Sequence, residues 1–457
     1  MTNCRTYFIV LIALSFFLQG ITQERSGLSL GNHNGVNATY LNPTGLLNNP
    51  HKWTANLGGA HLFADTDYVK IKQVKLFRFL RNYDQLLDDI RDNVTTSDVF
   101  ISYKENGKSY GDLQTSVLGP AFQYHINQST SIGMSIRARL IAGSYNITDV
   151  ANYPVYSELD SLTVLTAEPF NGNAAAYTEI NLHLAKHISP DLSVGITAKY
   201  LRGYEALHFS NRNSFDIRGF DEDNIDVLEG GSFDLAHTSP EENTIKRKGR
   251  GIGIDLGFTI KNMGGSKGTD LGIALLDLGL ISYSGSKRTY RWESGLLVDG
   301  TGYDELRDLT ELDEQLAQDF ILESTSDRFS QALPTGLAVQ MEHKLYESFS
   351  LRGYWVQRLK FLPLQIARSN SLNITGLYEL KHFSAFLPVT LYNYSNLRVG
   401  AAVRLAYLTI GTDNLLSIVG NGDFSGTDLY VNIQIYPFQI KRKNNGKGGK
   451  NIECFSF

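Results

Sequence analysis

Cysteine is almost missing from this chain: Cys4 stands at one end and Cys454 at the other. The fold between them therefore has no disulfide framework. Long apolar runs are missing too. After the first twenty residues no stretch approaches the roughly 20 apolar residues that a spanning helix needs, which excludes a helical membrane protein. Proline is sparse, at 11 residues, and the net charge of -5 gives no basic excess of the kind that marks nucleic-acid binding. What the chain has in quantity is tyrosine, phenylalanine and glycine, with 24, 24 and 42 residues. Aromatic enrichment with little proline suits β-structure.

The N-terminus carries Arg5, an apolar run from Tyr7 to Leu18, and Gly20-Ile21-Thr22 before the polar Gln23. A charged start, a short apolar core and small residues at the cut predict a secretory signal peptide over residues 1–22. The run is too short to span a bilayer as a helix. Cys4 leaves with it, and Cys454 reads as an inert residue in a loose tail rather than a reactive thiol.

The stretch Asn396 to Phe438 reads as the closing hairpin of a membrane barrel. Leu397, Val399, Ala401, Val403, Leu405 and Tyr407 alternate with Arg398, Gly400 and Arg404, and Leu429, Val431, Ile433 and Ile435 alternate with Asp428, Tyr430, Asn432 and Gln434. Strict period-two alternation puts one face in lipid and the other in water, and about 9 to 11 residues suffice for a tilted crossing. The same pattern recurs through the chain. Ile132, Met134, Ile136, Ala138 and Leu140 oppose Gly133, Ser135, Arg137 and Arg139; Leu192, Val194, Ile196, Ala198 and Tyr200 oppose Ser193, Gly195, Thr197 and Lys199; Ile252, Ile254, Leu256 and Phe258 oppose Gly253, Asp255 and Gly257. Earlier, Trp53, Ala55, Leu57, Gly59, His61 and Phe63 form a weaker alternating set. Counting all windows predicts about 14 strands, within the even-numbered range of such barrels.

Three inserts break the pattern. Leu76 to Val94 has apolar residues at spacings of three and four, predicting an amphipathic helix, and Tyr303 to Ser324 does the same through Leu306, Leu309, Leu312, Leu316 and Phe320. The second helix reads either as a surface helix or as a lid or plug. Asn211 to Arg250 is polar, acidic first and basic last, and reads as a long external loop. Its Asp221-Glu-Asp-Asn-Ile-Asp226 lacks the glycine and terminal glutamate of a calcium loop, so no metal site is assigned. The basic, glycine-rich Lys441 to Lys450 is a flexible tail.

A soluble sandwich also alternates, but its strands average about 5 to 6 residues, and these windows run to ten or more. Charge on the lipid side costs about 2 to 4 kcal/mol at the midplane. Arg137, Arg139, Lys199, Asp255, Glu342, Arg398 and Arg404 are therefore expected to line the lumen, where they either border a path or pair with one another and with the helical inserts to fill it. Tyr200, Tyr407, Tyr436 and Phe438 are expected at the membrane interface. No nucleophile elbow, paired metal-spaced histidines or phosphate-cradling glycine loop is present, so no catalytic residue, metal ligand or cofactor is assigned. His125, His183 and His187 read as ordinary polar positions.

Tyr40-Leu-Asn-Pro-Thr-Gly-Leu46, Gly251-Ile-Gly-Ile-Asp-Leu-Gly257, Gly272-Ile-Ala-Leu-Leu-Asp-Leu-Gly279 and Ile410-Gly-Thr-Asp-Asn-Leu-Leu416 before Asp428-Leu-Tyr430 resemble the DUF5723 outer-membrane barrels of Bacteroidetes. More distantly, the Asn-Pro segment is similar to the Asn-Pro-Ala-Gly of the long-chain fatty-acid transporter superfamily, which includes a barrel subunit of the type IX secretion system. Thr44 stands where that pattern has alanine. The resemblance implies an all-β transmembrane barrel of about 14 antiparallel strands with an N-terminal segment folded into the lumen as a hatch, and it brings no substrate. The expected organisation is a signal peptide over 1–22, a hatch-like segment over 23–50 holding Asn42, Pro43 and Gly45, a barrel over 51–438 and a tail over 439–457. The expected location is the Gram-negative outer membrane, in contact with its lipid. Two functions stay open: a plugged channel that passes or binds a small, partly hydrophobic solute, and a non-conducting barrel serving as a partner in secretion, gliding or envelope assembly.

Overall fold

A computed structural model describes residues 25–71, 101–103, 108–147, 164–220, 224–227, 230–238, 246–263, 268–299, 309–419 and 425–437. The expected signal peptide, the expected helix over Leu76–Val94, Phe438 and the basic tail lie outside the described residues.

Fourteen wall strands close into one antiparallel barrel. They are β1 (Trp53–Thr66), β2 (Ser109–Asn127), β3 (Thr130–Ile147), β4 (Asn171–His187), β5 (Leu192–Asn211), β6 (Gly231–His237 and Gly249–Ile260) and β7 (Thr269–Trp292). The circle continues with β8 (Ile321–Ala332 and Gly336–Tyr346), β9 (Phe349–Arg358), β10 (Ser371–Glu379), β11 (Phe383–Tyr392), β12 (Asn396–Val399 and Ala401–Leu405), β13 (Leu408–Thr412) and β14 (Gly426–Ile435). Closure is made by β1, which pairs with β2 on one side and with β14 on the other, Ala55 opposite Phe122 and Ile435. Full closure leaves no sheet edge in the hydrocarbon layer, where an unpaired backbone group would cost several kcal/mol.

The outer face is a belt of large apolar side chains, among them Leu182, Ile252, Met341, Ile374, Leu387, Leu397, Leu405 and Ile410, all exposed. The inner positions between them are buried and mostly polar. No described helix is long and apolar enough to cross a membrane; the crossing is by strands. The outward apolar belt on a closed antiparallel wall is the construction of an outer-membrane barrel. The short turns after β2, β4, β8 and β10 define the periplasmic end, and the long connections define the outer end.

Four sequence expectations need correction. The stretch read as a closing hairpin holds three strands, β12, β13 and β14, because the five-residue β13 is too short to stand out as a window. In β1 the register shifts between Asn56 and Gly58, so Leu57 faces out while His61 and Phe63 face in; the bulge inverts the alternation halfway along. Tyr436 is not an interface residue: it is buried against His51 and His382 at the periplasmic mouth. The insert Asn211 to Arg250 is not a plain loop, since Gly231–His237 continues the wall and strands 215–220 and 224–227 join 164–167 and 296–299 in a small second sheet.

The second helical insert exists and ends earlier than expected: among the described residues it is helical over Leu309–Asp319, and by Ile321 the chain is already in β8. Its position answers the question of lid or plug. Along the outer ends of β5 and β6, Ala206 and Ala236 belong to the cluster that looks inward with Tyr177 and Tyr283. Alternating with them, Leu207, Phe209, Phe233 and Leu235 belong to the cluster under Leu312, Leu316 and Phe320. The helix therefore packs on the outside of the wall, above the apolar belt, and not over the lumen.

Candidate functional site: the filled lumen

The lumen is occupied by the chain's own N-terminal segment. It runs as a short helix α1 (Ser26–Ser29) and two 3-10 turns, Asn32–Tyr40 and Pro43–Asn48. The segment touches β11, β12 and β13 through α1, β1, β2 and β3 through the first turn, and β3 to β6 through the second. Contacts on opposite sides of one closed wall place it inside. Local sequence explains its shape: Asn42 caps the second turn by accepting from the Thr44 amide (3.0 Å) and hydroxyl (2.8 Å), and Pro43 takes the first helical position, where no amide hydrogen is needed.

The wall is carved to receive it. A Cβ on Gly195 would stand 2.7 Å from Pro43 and Thr44 backbone, and one on Gly257 or Gly272 would collide with Asn42. These glycines sit on three adjacent strands at one level, so the turn lies directly on bare backbone. Asn42 Nδ2 donates to the Phe258 carbonyl at 3.3 Å, and the Thr44 and Thr259 hydroxyls meet at 2.6 Å. On the segment's own side, Gly45 is required because a Cβ would lie 2.9 Å from Ala38. Leu28, Leu30, Leu41 and Leu46 are buried between segment and wall, each worth about 1.5 to 3 kcal/mol.

Higher in the lumen, the charges form a network. Arg137 pairs with Glu179, Arg139 with Asp277 (3.0 Å), Lys199 with Asp255 (2.7 Å) and with Asp277, and Arg368 with Asp277 (3.1 Å). All are buried. Arg25 joins from the segment, its Nε donating to His61 (2.7 Å) and its Nη2 to Ser116 (2.8 Å), while His61 meets Asp428 at 3.1 Å. Ser26 bonds Asp413 through its amide (3.1 Å) and hydroxyl (2.8 Å).

Of the residues expected on the lumen side, Arg137, Arg139, Lys199 and Asp255 come together in this network. Glu342 lies apart, paired with Arg352 (2.7 Å), which also donates to the Leu30 carbonyl and to Asn32 of the segment (2.9 Å). Arg398 pairs with Asp65 (2.8 Å) toward the outer end, and Arg404 donates to Ser384 (2.9 Å) and the Leu380 carbonyl (2.7 Å) at a periplasmic turn. Their partners among the described residues belong to the wall, the 359–370 connection and the segment. The expectation that the helical inserts fill the interior fails for Leu309–Asp319, which stands outside.

Sequence reasoning missed Asp277, Arg368 and Arg25. Asp277 sits at a bulge with φ 53, where the register to β6 shifts and outward residues change from Leu271, Ile273 and Leu275 to Leu278 and Leu280. That change of parity is the signal that could have found it. Arg368 lies in a connection with no periodicity, and Arg25 beside the expected cut carries no pattern at all.

A closed fourteen-stranded wall with a lipid-facing belt and a filled lumen defines an outer-membrane β-barrel. Within that class the chain belongs to the family of unknown function DUF5723, whose model matches residues 47–413. No curated sequence matches it. Solved structures similar to it include the TodX deltaS2S3 mutant, a monoaromatic hydrocarbon channel, at 11% identity over 88% of this chain and 94% of that one, TM-score 0.42. Others are a Pseudomonas aeruginosa FadL homologue (9%, 91% and 98%, TM-score 0.24) and the translocator domain of autotransporter NalP from Neisseria meningitidis (7%, 90% and 99%, TM-score 0.33). The barrel itself rests on the strand pairings above.

Proposed function

We propose that this protein is an outer-membrane channel or solute-binding barrel in which residues 25–49 act as a hatch, with Asn42, Pro43 and Gly45 at its seat, and that its solute is small and partly hydrophobic. The observation behind this reading is the mixed surface that the wall offers the segment. Leu30 and Leu41 pack on Ala274, Leu276, Tyr354 and Val356, and Leu28 on Leu118, Leu377 and Phe386. Beside these patches, Arg25, Ser26, Asn42 and Thr44 bond polar groups of the wall. A solute taking the segment's place meets the same alternation of apolar and polar ground.

The test is solute uptake into liposomes carrying the full-length barrel or a version lacking Ser26 to Asn49, with hydrophobic and polar probes in parallel. Uptake of one probe class by the full-length protein, and of more after deletion, is the expected result. Silence from both versions sinks the proposal. The second reading, a non-conducting barrel that serves as an envelope partner, draws on the outer extension, where helix Leu309–Asp319 and the small sheet build a surface beyond the belt. Cross-linking in cells from that surface, with no specific partner retrieved, removes it.

A further inference from the structure

A cavity of about 20 Å³ remains where the segment meets the wall, lined by Arg25 and Ser29 from the one and Gln114, Arg137, Arg139, Lys199, Asp277 and Arg368 from the other. It has room for a single water-sized occupant, which needs about 10 to 15 Å³. Five cationic side chains and one carboxylate border it, and all six are more than nine-tenths buried. Glu179 is engaged with Arg137 through one oxygen, its other oxygen lying 3.9 Å from Arg139, and Asp255 is engaged with Lys199. Arg25 has only neutral hydrogen-bond partners, His61 and Ser116, and no carboxylate within ion-pair range among the described residues. Asp428 and Asp413, the acids on its side of the lumen, are reached only through His61 and Ser26.

A second observation points the same way. The Gln114 amide and the Ser29 hydroxyl, 4% and 9% exposed, line this space and have no hydrogen-bond partner among the described residues. A buried polar group without a partner is destabilising, and a buried charge without compensation is more so. Water would answer the amide and the hydroxyl and leave the excess charge; an anion accepts from both and neutralises the arginine as well.

We propose that this cavity is a binding site for one monovalent anion of chloride size, held between Arg25, Arg137 and Gln114. Because its ligands come from both the N-terminal segment and the wall, the bound anion pins the segment in place. The site goes beyond the transport reading and stands whether or not a solute passes.

The experiment uses the full-length barrel in detergent. Crystals grown in bromide are expected to give an anomalous peak within about 3.5 Å of the Arg25 guanidinium and the Gln114 amide. Melting at constant ionic strength is expected to rise saturably, by a few degrees, as gluconate is replaced by chloride, since a ligand bound only by the folded state stabilises it. Gln114→Leu should lose most of that rise. Gln114→Glu, which supplies its own negative oxygen, should melt at least as high as the wild type in gluconate and ignore chloride. An unoccupied or water-filled cavity in bromide, with melting indifferent to the anion, overturns the proposal; so does a Gln114→Glu barrel as sensitive to chloride as the wild type.

Discussion

Asp277 is the point at which the lumen's charges meet. Its two oxygens serve Arg139, Lys199 and Arg368, and its own amide donates to Asp255 at 2.6 Å. Removing one partner from a buried ionic set leaves the others uncompensated, at a cost of about 3 to 5 kcal/mol. Asp277→Ala is therefore expected to lower barrel stability by that amount in urea unfolding followed by tryptophan fluorescence in micelles. The exposed pair of Arg212 and Asp234, at 2.7 Å, is the control: Arg212→Ala should cost no more than about 1 kcal/mol, the range for surface pairs. Gly257 supports a different expectation. Gly257→Val would drive a side chain into Asn42 and Pro43, so the wall should still assemble, with unchanged heat-modifiable migration in a gel, while the N-terminal segment becomes open to protease. An N-terminus as protected as in the wild type would mean that the glycine seat does not hold it. Gly195 and Gly257 were legible only as members of a polar face, because contact with a segment about 150 and about 215 residues away in sequence leaves no mark on local periodicity.

Among the elements, helix Leu309–Asp319 was readable from its leucine stripe, and its place was not. A stripe says that one side is covered without saying by what, and here the cover is the outer aromatic face of Phe233, Tyr290 and Trp292. Its anchor is Asp313, which accepts from His237 (3.0 Å), Ser286 (2.6 Å) and Tyr290 (3.0 Å) and lies 3.3 Å from Arg288. Burial works against its charge, but the hydrogen bonds from His237 and Ser286 and the charge of Arg288 outweigh burial and hold the carboxyl below its ordinary 3.8. A carboxyl depressed in the folded state contributes its full stability above the ordinary value and loses it as pH falls through the depressed one. Docking of the helix should thus be constant from neutral pH down to about pH 4 and weaken only in stronger acid. Asp313→Asn should loosen it already at neutral pH. Limited proteolysis of the 300–320 connection across pH reads both; a wild-type helix that loosens between pH 7 and 5 would show that Asp313 is not the anchor.

At the scale of the whole molecule, the barrel was legible because one rule, apolar outward and polar inward, repeats around the wall and is enforced by lipid. It failed where a bulge reset the parity, at Gly58 and Asp277, and where a strand was too short to form a window, as in Leu408–Thr412. The lumen's content was less legible, since side chains that pair across the barrel are set by closure and not by neighbours in sequence. The same rule makes a test that depends on depth alone. Ile374 is 56% exposed at the centre of the nine-residue β10, while Tyr346 is 77% exposed at the periplasmic end of β8. Both are large, exposed and outward, so a soluble fold would charge a similar amount for an arginine at either. A bilayer does not: the cost is about 2 to 4 kcal/mol at the midplane and about 0 to 1 near the interface. Ile374→Arg should impair folding into liposomes and lower the unfolding midpoint, and Tyr346→Arg should leave both close to the wild type. Equal costs at the two positions would mean that the belt does not sit across the membrane as its geometry places it.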